Sequence, residues 1–277
     1  MPELPEVETV RRAAAERLCA RTITDVSVRN PQLRRPVDQA ALRNCCVGRE
    51  VAGLDRRGKF MIARFGSGGA VLLHLGMSGA FLVVPGDTPF DQHEHVVWHL
   101  DDGFDWRFHD PRRFGIVEPL PEGIPAIRHP SLAGLGPEPV DSAWGGADLH
   151  CELRKTNRAV KLALLDQHLV AGLGNIYVCE ALFAAGISPF RKSSHISRQR
   201  CDTLVQCIQE VLRDAIEHGG TSLRDYTRLD GTEGRFAIRL RVYGREGCPC
   251  PRCGIAHPVR RRVQQNRSTY YCPHCQR

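Results

Sequence analysis

The hydrophobic pattern changes period three times along this chain. Val7, Val10, Ala14 and Leu18 recur at helical spacing, with Glu3, Glu6 and Glu8 early and Arg11 and Arg12 later, which predicts a helix over 3–18. From about 22 to 120 the apolar residues fall into short runs separated by Gly, Pro and Asp. Strands are expected at 23–28, 60–65, 71–75, 80–84, 96–100 and 106–109, as in an all-β sandwich or barrel. Residues 121–139 are rich in Pro and Gly and read as a connector. Helices are then expected at 148–155, 157–166, 175–185, 195–218 and 221–226, and a short basic tail carrying cysteines closes the chain. The result is an α+β, multi-domain chain divided at 1–133, 148–230 and 235–277. It has no internal repeat and no low-complexity tract.

At 277 residues, more than one domain is the ordinary expectation. No run of 18 apolar residues exists, so no membrane span is expected. The acidic start is the opposite of a signal peptide, which points to the cytoplasm and to cysteines that are reduced or metal-bound. The net charge of +7 is concentrated at one end. From Arg235 to Arg277 there are ten Arg, no Lys and one acid (Glu246), a balance of +9 that leaves −2 for everything before. A basic module on a near-neutral body suits a polyanionic partner. A solubility tail is the alternative, but such tails are usually Lys-rich and lack cysteines.

Those cysteines have a spacing of their own. Cys250-Pro-Arg-Cys253 and Cys272-Pro-His-Cys275 form C-x2-C-x18-C-x2-C, within the range of a four-cysteine zinc ribbon. Four thiolates close the coordination sphere, so one structural zinc ion is expected, without catalytic chemistry. Cys19, Cys45, Cys46, Cys151, Cys179, Cys201 and Cys207 read as small buried or partly buried residues. Between the knuckles, residues 260–271 suggest a β-hairpin with Asn266 and Arg267 at its tip, where an Arg can grip a phosphate or stay solvated. In Gly172-Leu-Gly174-Asn175, two glycines and a capping Asn175 suggest an anion site at a helix N-terminus, although a Gly-rich helix turn is a weak signal alone.

The start, Met1-Pro2-Glu3, carries the chemistry. Removal of Met1 would free the secondary amine of Pro2. A terminal amine titrates about 2.5 units below a lysine, and it can attack an aldehyde-like carbon to form an iminium. Glu3 is the neighbouring acid that can move a proton at the same carbon. Met-Pro starts are common, and early glutamates also complement a helix dipole, so the dipeptide gains weight only from the rest of the chain.

The rest of the chain resembles formamidopyrimidine-DNA glycosylase. The residues concerned run in order: the 2–9 start, Arg57-Gly-Lys59-Phe60, His74-Leu-Gly-Met77-Ser-Gly79, Asp110-Pro-Arg112-Arg113-Phe114-Gly115, Leu135-Gly-Pro-Glu-Pro139, the Asn175 turn, Val242-Tyr-Gly-Arg-Glu-Gly247 and the ribbon. The sister family, endonuclease VIII, typically has Gly where Leu4 stands and lacks the Met, Arg and Phe inserts. The resemblance implies an N-terminal catalytic β-sandwich with a leading helix, a helix-two-turn-helix DNA-binding domain and the zinc ribbon.

It also implies an activity. A monomeric, bacterial, nucleoid-associated repair enzyme would excise oxidised purines (8-oxoguanine, formamidopyrimidines) from damaged double-stranded DNA. It would then nick the strand by β,δ-elimination. Pro2 would be the nucleophile and Glu3 the proton carrier. Lys59, carried on a strand, would serve β-elimination and Arg267 would bind phosphate. Met77, Arg112 and Phe114 would fill the gap left by the extruded base. His74, His93, Lys161 and Asn175 would contact DNA, Glu6 would support the Pro2–Glu3 geometry, and the 224–236 loop would cover the base. There are two departures: Cys248 stands where a charge is common, and Thr156-Asn157-Arg158 is lysine-poor. A non-catalytic DNA-binding ribbon protein is the remaining alternative, and Pro2, Glu3, Lys59 and Arg267 together argue against it.

Overall fold

A computed structural model describes residues 2–141, 143–221 and 240–277. Met1, all but the first residue of the helix expected at 221–226, and the loop expected at 224–236 lie outside the described residues. Residues 2–133 with 218–221 form one compact unit, and residues 134–217 with 240–277 form another.

The first unit starts with α1 (Leu4–Leu18), β1 (Ile23–Val28), α2 (Gln39–Cys46), β2 (Val51–Arg57), β3 (Phe60–Phe65), β4 (Ala70–His74), β5 (Ala80–Pro85), β6 (Glu94–Leu100), β7 (Phe104–His109) and β8 (Ile116–Leu120). The strands make two antiparallel sheets, ordered β1-β6-β7-β5 and β2-β3-β4-β8. Their inner faces and the apolar stripe of α1 share one core. Trp98, Trp106, Phe81 and Phe108 stack through it, with ring centroids 4.5 Å apart for Trp98–Trp106 and 4.9 Å for Phe81–Phe108. Burying each such ring is worth about 1.5–3 kcal/mol, and this is what closes the sandwich.

The helix expected at 3–18 begins at Leu4, because Glu3 is extended and acts as its N-cap. Three elements escaped the periodicity. Strand β2 carries three charged residues, Asp55, Arg56 and Arg57, α2 is short enough to give no period, and β8 contains Pro119, which speaks against a strand.

The second unit follows α3 (Pro130–Ala133), which ends the connector. It contains α4 (Gly146–Arg154), α5 (Val160–Leu164), α6 (Asn175–Ala184), α7 (Arg198–Glu217), β9 (Pro249–Cys250), β10 (Gly254–Pro258), β11 (Arg260–Gln264) and β12 (Arg267–Tyr271). Helix α7 buries Cys201, Leu204, Val205, Ile208, Leu212 and Ala215, the three-and-four spacing of one face, against α4 and α6. Helix α6 is buried nearly all round and serves two cores. Its Val178, Ala181 and Leu182 join the helical core, while Cys179 and Phe183 join that of the ribbon. Glu180, on the same helix, accepts backbone N–H bonds from Arg241, Val242 and Tyr243 at 2.8–2.9 Å and so anchors the chain as it enters the ribbon.

The helix expected at 157–166 is reduced to the single turn of α5. Asn175 is the first residue of α6, with Gly174 as its cap, so the expectation that Asn175 itself caps the helix is corrected. Cys19 and Cys151 are exposed, against the expectation of burial, while Cys45, Cys46, Cys179 and Cys201 are buried. Among the described residues, no helix is long and apolar enough to cross a membrane.

Candidate active site

Helix α1 is fastened to the sheet by charge. Glu8 accepts from Arg11 and Arg12 on its own helix and from Arg56 Nε on β2 at 3.0 Å, while Arg11 Nη1 reaches the carbonyl of Leu54 at 3.1 Å. Burial alone would raise the carboxyl pKa. The hydrogen bonds from Arg11 and Arg12 and the charges of Arg11 and Arg56 prevail and pull it down to about 2. The N-terminus is thereby fixed to the β2–β3 hairpin.

At that N-terminus Pro2 is buried, and Glu3 and Glu6 are each 2% exposed. Glu6 Oε2 accepts the backbone N–H of Glu3 at 2.8 Å, the return half of a capping box. Its other oxygen accepts the N–H and the hydroxyl of Thr221, at 2.9 and 3.1 Å. A single buried carboxylate therefore holds both the start of the chain and the segment returning to it 215 residues later. The residue pattern gave Glu6 only a local helical role. Its link to Thr221 is a long-range bond that no spacing announces.

Lys59 sits in the two-residue turn between β2 and β3, although the resemblance placed it on a strand. Gly58, with φ of +57°, takes the first turn position, a conformation that disfavours any residue with a Cβ. Lys59 is nevertheless buried. Across the sheet, Phe60 pairs with His74, and their rings lie 4.7 Å apart. His74 Nδ1 accepts the N–H of Gly76 at 2.9 Å, which leaves the ring proton on Nε2. Burial, then the charges of Lys59 and Arg34, lower the His74 pKa to about 4. The imidazole is thus a neutral, oriented donor beside a lysine, which suits a phosphate oxygen. Arg34, which the motifs did not single out, adds positive charge there.

This depression has a consequence for stability. The unfolded histidine titrates near 6.5, so protons favour unfolding as the pH falls from about 6.5 to about 4. Urea unfolding at pH 7.5 and at pH 4.5 should therefore show a smaller acid loss for His74→Gln than for the parent. The expected difference is on the order of 1–2 kcal/mol, discounted because the ring is only half-buried. An identical acid loss in both proteins would contradict this.

Met77 is half-buried in the turn after β4, and Arg112 and Phe114 are exposed in the turn after β7. The Arg112 guanidinium lies 5.0 Å from the Phe114 ring centroid, and Phe114 is 43% exposed, an unusual position for a large apolar ring. His93 immediately precedes β6, and its ring meets that of His109, at the end of the neighbouring β7, edge-on at 5.7 Å.

In the second unit the expected hairpin is present. Gln264 pairs with Arg267 around a turn made by Gln265 and Asn266, both at positive φ. Arg267 therefore starts the returning strand, one residue past the tip, with its side chain exposed. Lys161 is fully buried. Its ammonium donates to the Ser268 carbonyl at 3.1 Å and to the Thr269 hydroxyl at 2.7 Å. Asn175 Nδ2 donates to the same carbonyl at 2.8 Å. Both residues bond to the hairpin immediately after Arg267, a structural use that the sequence did not suggest. Among the described residues, the buried Asn175 Oδ1 has no hydrogen-bond partner.

The four ribbon cysteines converge, with all Sγ atoms within 4.8 Å of one another. Cys250 and Cys275 are 3.8 Å apart, and Cys253 and Cys272 3.9 Å. A zinc–sulfur bond of about 2.3 Å gives a tetrahedron with an edge of about 3.8 Å, so the site fits zinc. His274 Nδ1 lies 3.4 Å from Cys253 Sγ, and His257 stacks on His274 at 3.9 Å, a hydrogen-bonded flank to the cluster.

Residues 1–117 match the family model for the formamidopyrimidine-DNA glycosylase N-terminal domain, and residues 135–227 that for the formamidopyrimidine-DNA glycosylase H2TH domain. The formamidopyrimidine-DNA glycosylase of Dinoroseobacter shibae is 47% identical over 286 residues, with 100% of both chains covered. Among solved structures, the MutM (Fpg) protein of Thermus thermophilus has a TM-score of 0.87 at 40% identity, covering 99% of this chain and 98% of its own. A Lactococcus lactis Fpg mutant in complex with DNA containing Fapy-dG has a TM-score of 0.92 at 33% identity, with both chains fully covered.

Proposed function

Because this chain belongs to the formamidopyrimidine-DNA glycosylase family, we propose that it excises oxidised purines from duplex DNA and then nicks the strand at the resulting site. The observation that carries the reading is the buried carboxylate of Glu6, which holds the Glu3 backbone and so fixes the N-terminal dipeptide in a buried place. An amine meant to meet one sugar carbon must be held still.

The sequence of steps follows from the chemistry. The Pro2 nitrogen attacks C1′ of the damaged nucleotide, and the C1′–N bond to the base breaks with its electron pair, so the base leaves on taking a proton. Glu3 serves the sugar O4′ as the ring opens, and the iminium between C1′ and Pro2 results. That iminium acidifies C2′. Loss of a C2′ proton expels the 3′ phosphate, and a second elimination expels the 5′ phosphate. Lys59 serves the first elimination. Arg267 grips a phosphate beside the lesion, while Lys161 and Asn175 steady its hairpin. His74 and His93 bind further phosphates, with His74 suited by its neutral, oriented N–H. Met77, Arg112 and Phe114 fill the space vacated by the extruded base. Zinc supplies only the fold of the ribbon. The enzyme acts as a monomer in the bacterial cytoplasm, on nucleoid DNA.

Arg267→Ala tests the division of labour. It should weaken binding to an 8-oxoguanine duplex about tenfold, lower the slope of log affinity against log salt by about 1 and slow the second elimination. The zinc content should stay at one ion. Loss of zinc would make Arg267 a structural residue. Preferential excision of oxidised pyrimidines by the parent enzyme would overturn the substrate reading.

A further inference from the structure

Resting on the gap-filling role of Met77, Arg112 and Phe114, we propose that Asp110 is the positioning residue that locks their two turns into one wedge. Asp110 is fully buried at the end of β7. Its Oδ1 accepts the hydroxyl of Ser78, the neighbour of Met77, at 3.0 Å and the N–H of Arg112 at 3.2 Å. Its Oδ2 accepts the N–H of Gly115, the neighbour of Phe114, at 2.8 Å. One carboxylate thus spans the two turns that present all three inserts. Its carbonyl completes the turn by accepting the N–H of Arg113, a residue in the left-handed region with φ of +55°. The same carbonyl is 2.8 Å from Nε2 of the buried His95, which ties the block to β6.

The backbone itself leaves no slack between the turns. At Gly76, with φ of +66°, a Cβ would come within 2.6 Å of the Phe114 carbonyl carbon. The Met77 turn therefore presses directly on the Phe114 turn, and Asp110 is the bond that keeps them pressed. A wedge that enters a base stack does work against stacking, and loose inserts would yield instead of displacing the base. Asp110 touches no reacting atom, so its effect should fall on extrusion of the base and not on the chemistry at C1′.

The test uses the whole enzyme and two substrates. In one, 8-oxoguanine faces cytosine in a duplex and must be unstacked. In the other, a preformed abasic site lies in single-stranded DNA, where no stack has to be opened. Asp110→Asn replaces one carboxylate oxygen with an amide NH2, which only donates, so at least one of the bonds from Ser78, Arg112 and Gly115 is lost. It should slow excision from the duplex by about tenfold or more, while cleavage of the single-stranded abasic site stays within about twofold of the parent. Ser78→Ala removes one bond only and should show the same selective loss at smaller size, which keeps the test valid should Asp110→Asn fold poorly. Fluorescence of 2-aminopurine beside the lesion should report slower unstacking in both variants. Equal losses on the two substrates would reduce Asp110 to a fold residue, and unchanged excision by both variants would overturn the proposal. The double variant Met77→Ala/Phe114→Ala separates the two readings. Normal duplex excision there would remove the wedge itself, whereas impaired excision there with normal Asp110→Asn and Ser78→Ala enzymes would remove only the role of Asp110.

Discussion

A preparation that retains Met1 should neither excise 8-oxoguanine nor nick the duplex. With Met1 in place the Pro2 nitrogen is an amide, its lone pair is delocalised into the carbonyl, and it cannot add to C1′. The covalent route then disappears. Loss of covalent participation costs many orders of magnitude, and the expected residual rate is below about one part in 10⁴ of the processed enzyme. Binding should survive, because the surfaces that grip the backbone are unaltered. Two preparations, one processed and one carrying an uncleavable residue ahead of Pro2, can be compared by single-turnover excision and by affinity for an uncleavable abasic analogue. Excision by the blocked chain at a rate close to that of the processed one would contradict the assignment of Pro2.

Zinc removal should have the next largest effect. The ribbon occupies the last part of the chain, and fewer than about 40 residues rarely hold a fold on their own core. Its described apolar interior is small, built around Cys179, Phe183, Val242 and Val259 besides the cysteines. Structural zinc contributes on the order of 10–16 kcal/mol to such modules. Cys272→Ser, or stripping with a strong chelator, should therefore unfold the ribbon and release the Arg267 hairpin. Affinity for lesion duplex should fall by about 100-fold, and excision with it. The tryptophans offer an internal control. Trp98 and Trp106 lie in the sandwich core and Trp144 in the helical core, so all three tryptophans sit outside the ribbon. Tryptophan fluorescence should stay native while Tyr270 and Tyr271 lose their ordered surroundings. Full DNA affinity in a zinc-free protein would contradict this account.

The sequence made some features legible and hid others for identifiable reasons. The ribbon was readable because two knuckles at fixed spacing leave a metal few alternatives. Helix α1 and most of the strands followed from local period. Strand β2 was hidden because charge occupies its end, and β8 because Pro119 interrupts it. The pairing of β1 with β6 could not be read, since residues 23–28 and 96–100 meet only in the fold.

Site residues divide in the same way. Pro2, Glu3 and Arg267 stand out by type and place. Glu6, Asp110 and Lys161 act through bonds that depend on burial and on partners far along the chain. Lys161 is the sharpest case. The motif suggested a cation for DNA, but the fold buries its ammonium on Ser268 and Thr269, where it steadies the hairpin that presents Arg267.

The covalent bond between the Pro2 nitrogen and the sugar can be measured directly. The processed enzyme is reacted with an 8-oxoguanine duplex in the presence of borohydride, the trapped complex is digested, and the modified peptide is mapped by mass spectrometry. A reduced sugar fragment is expected on the N-terminal peptide, attached to the Pro2 nitrogen. A fragment carried instead by Lys59, Lys161 or any other lysine would contradict it.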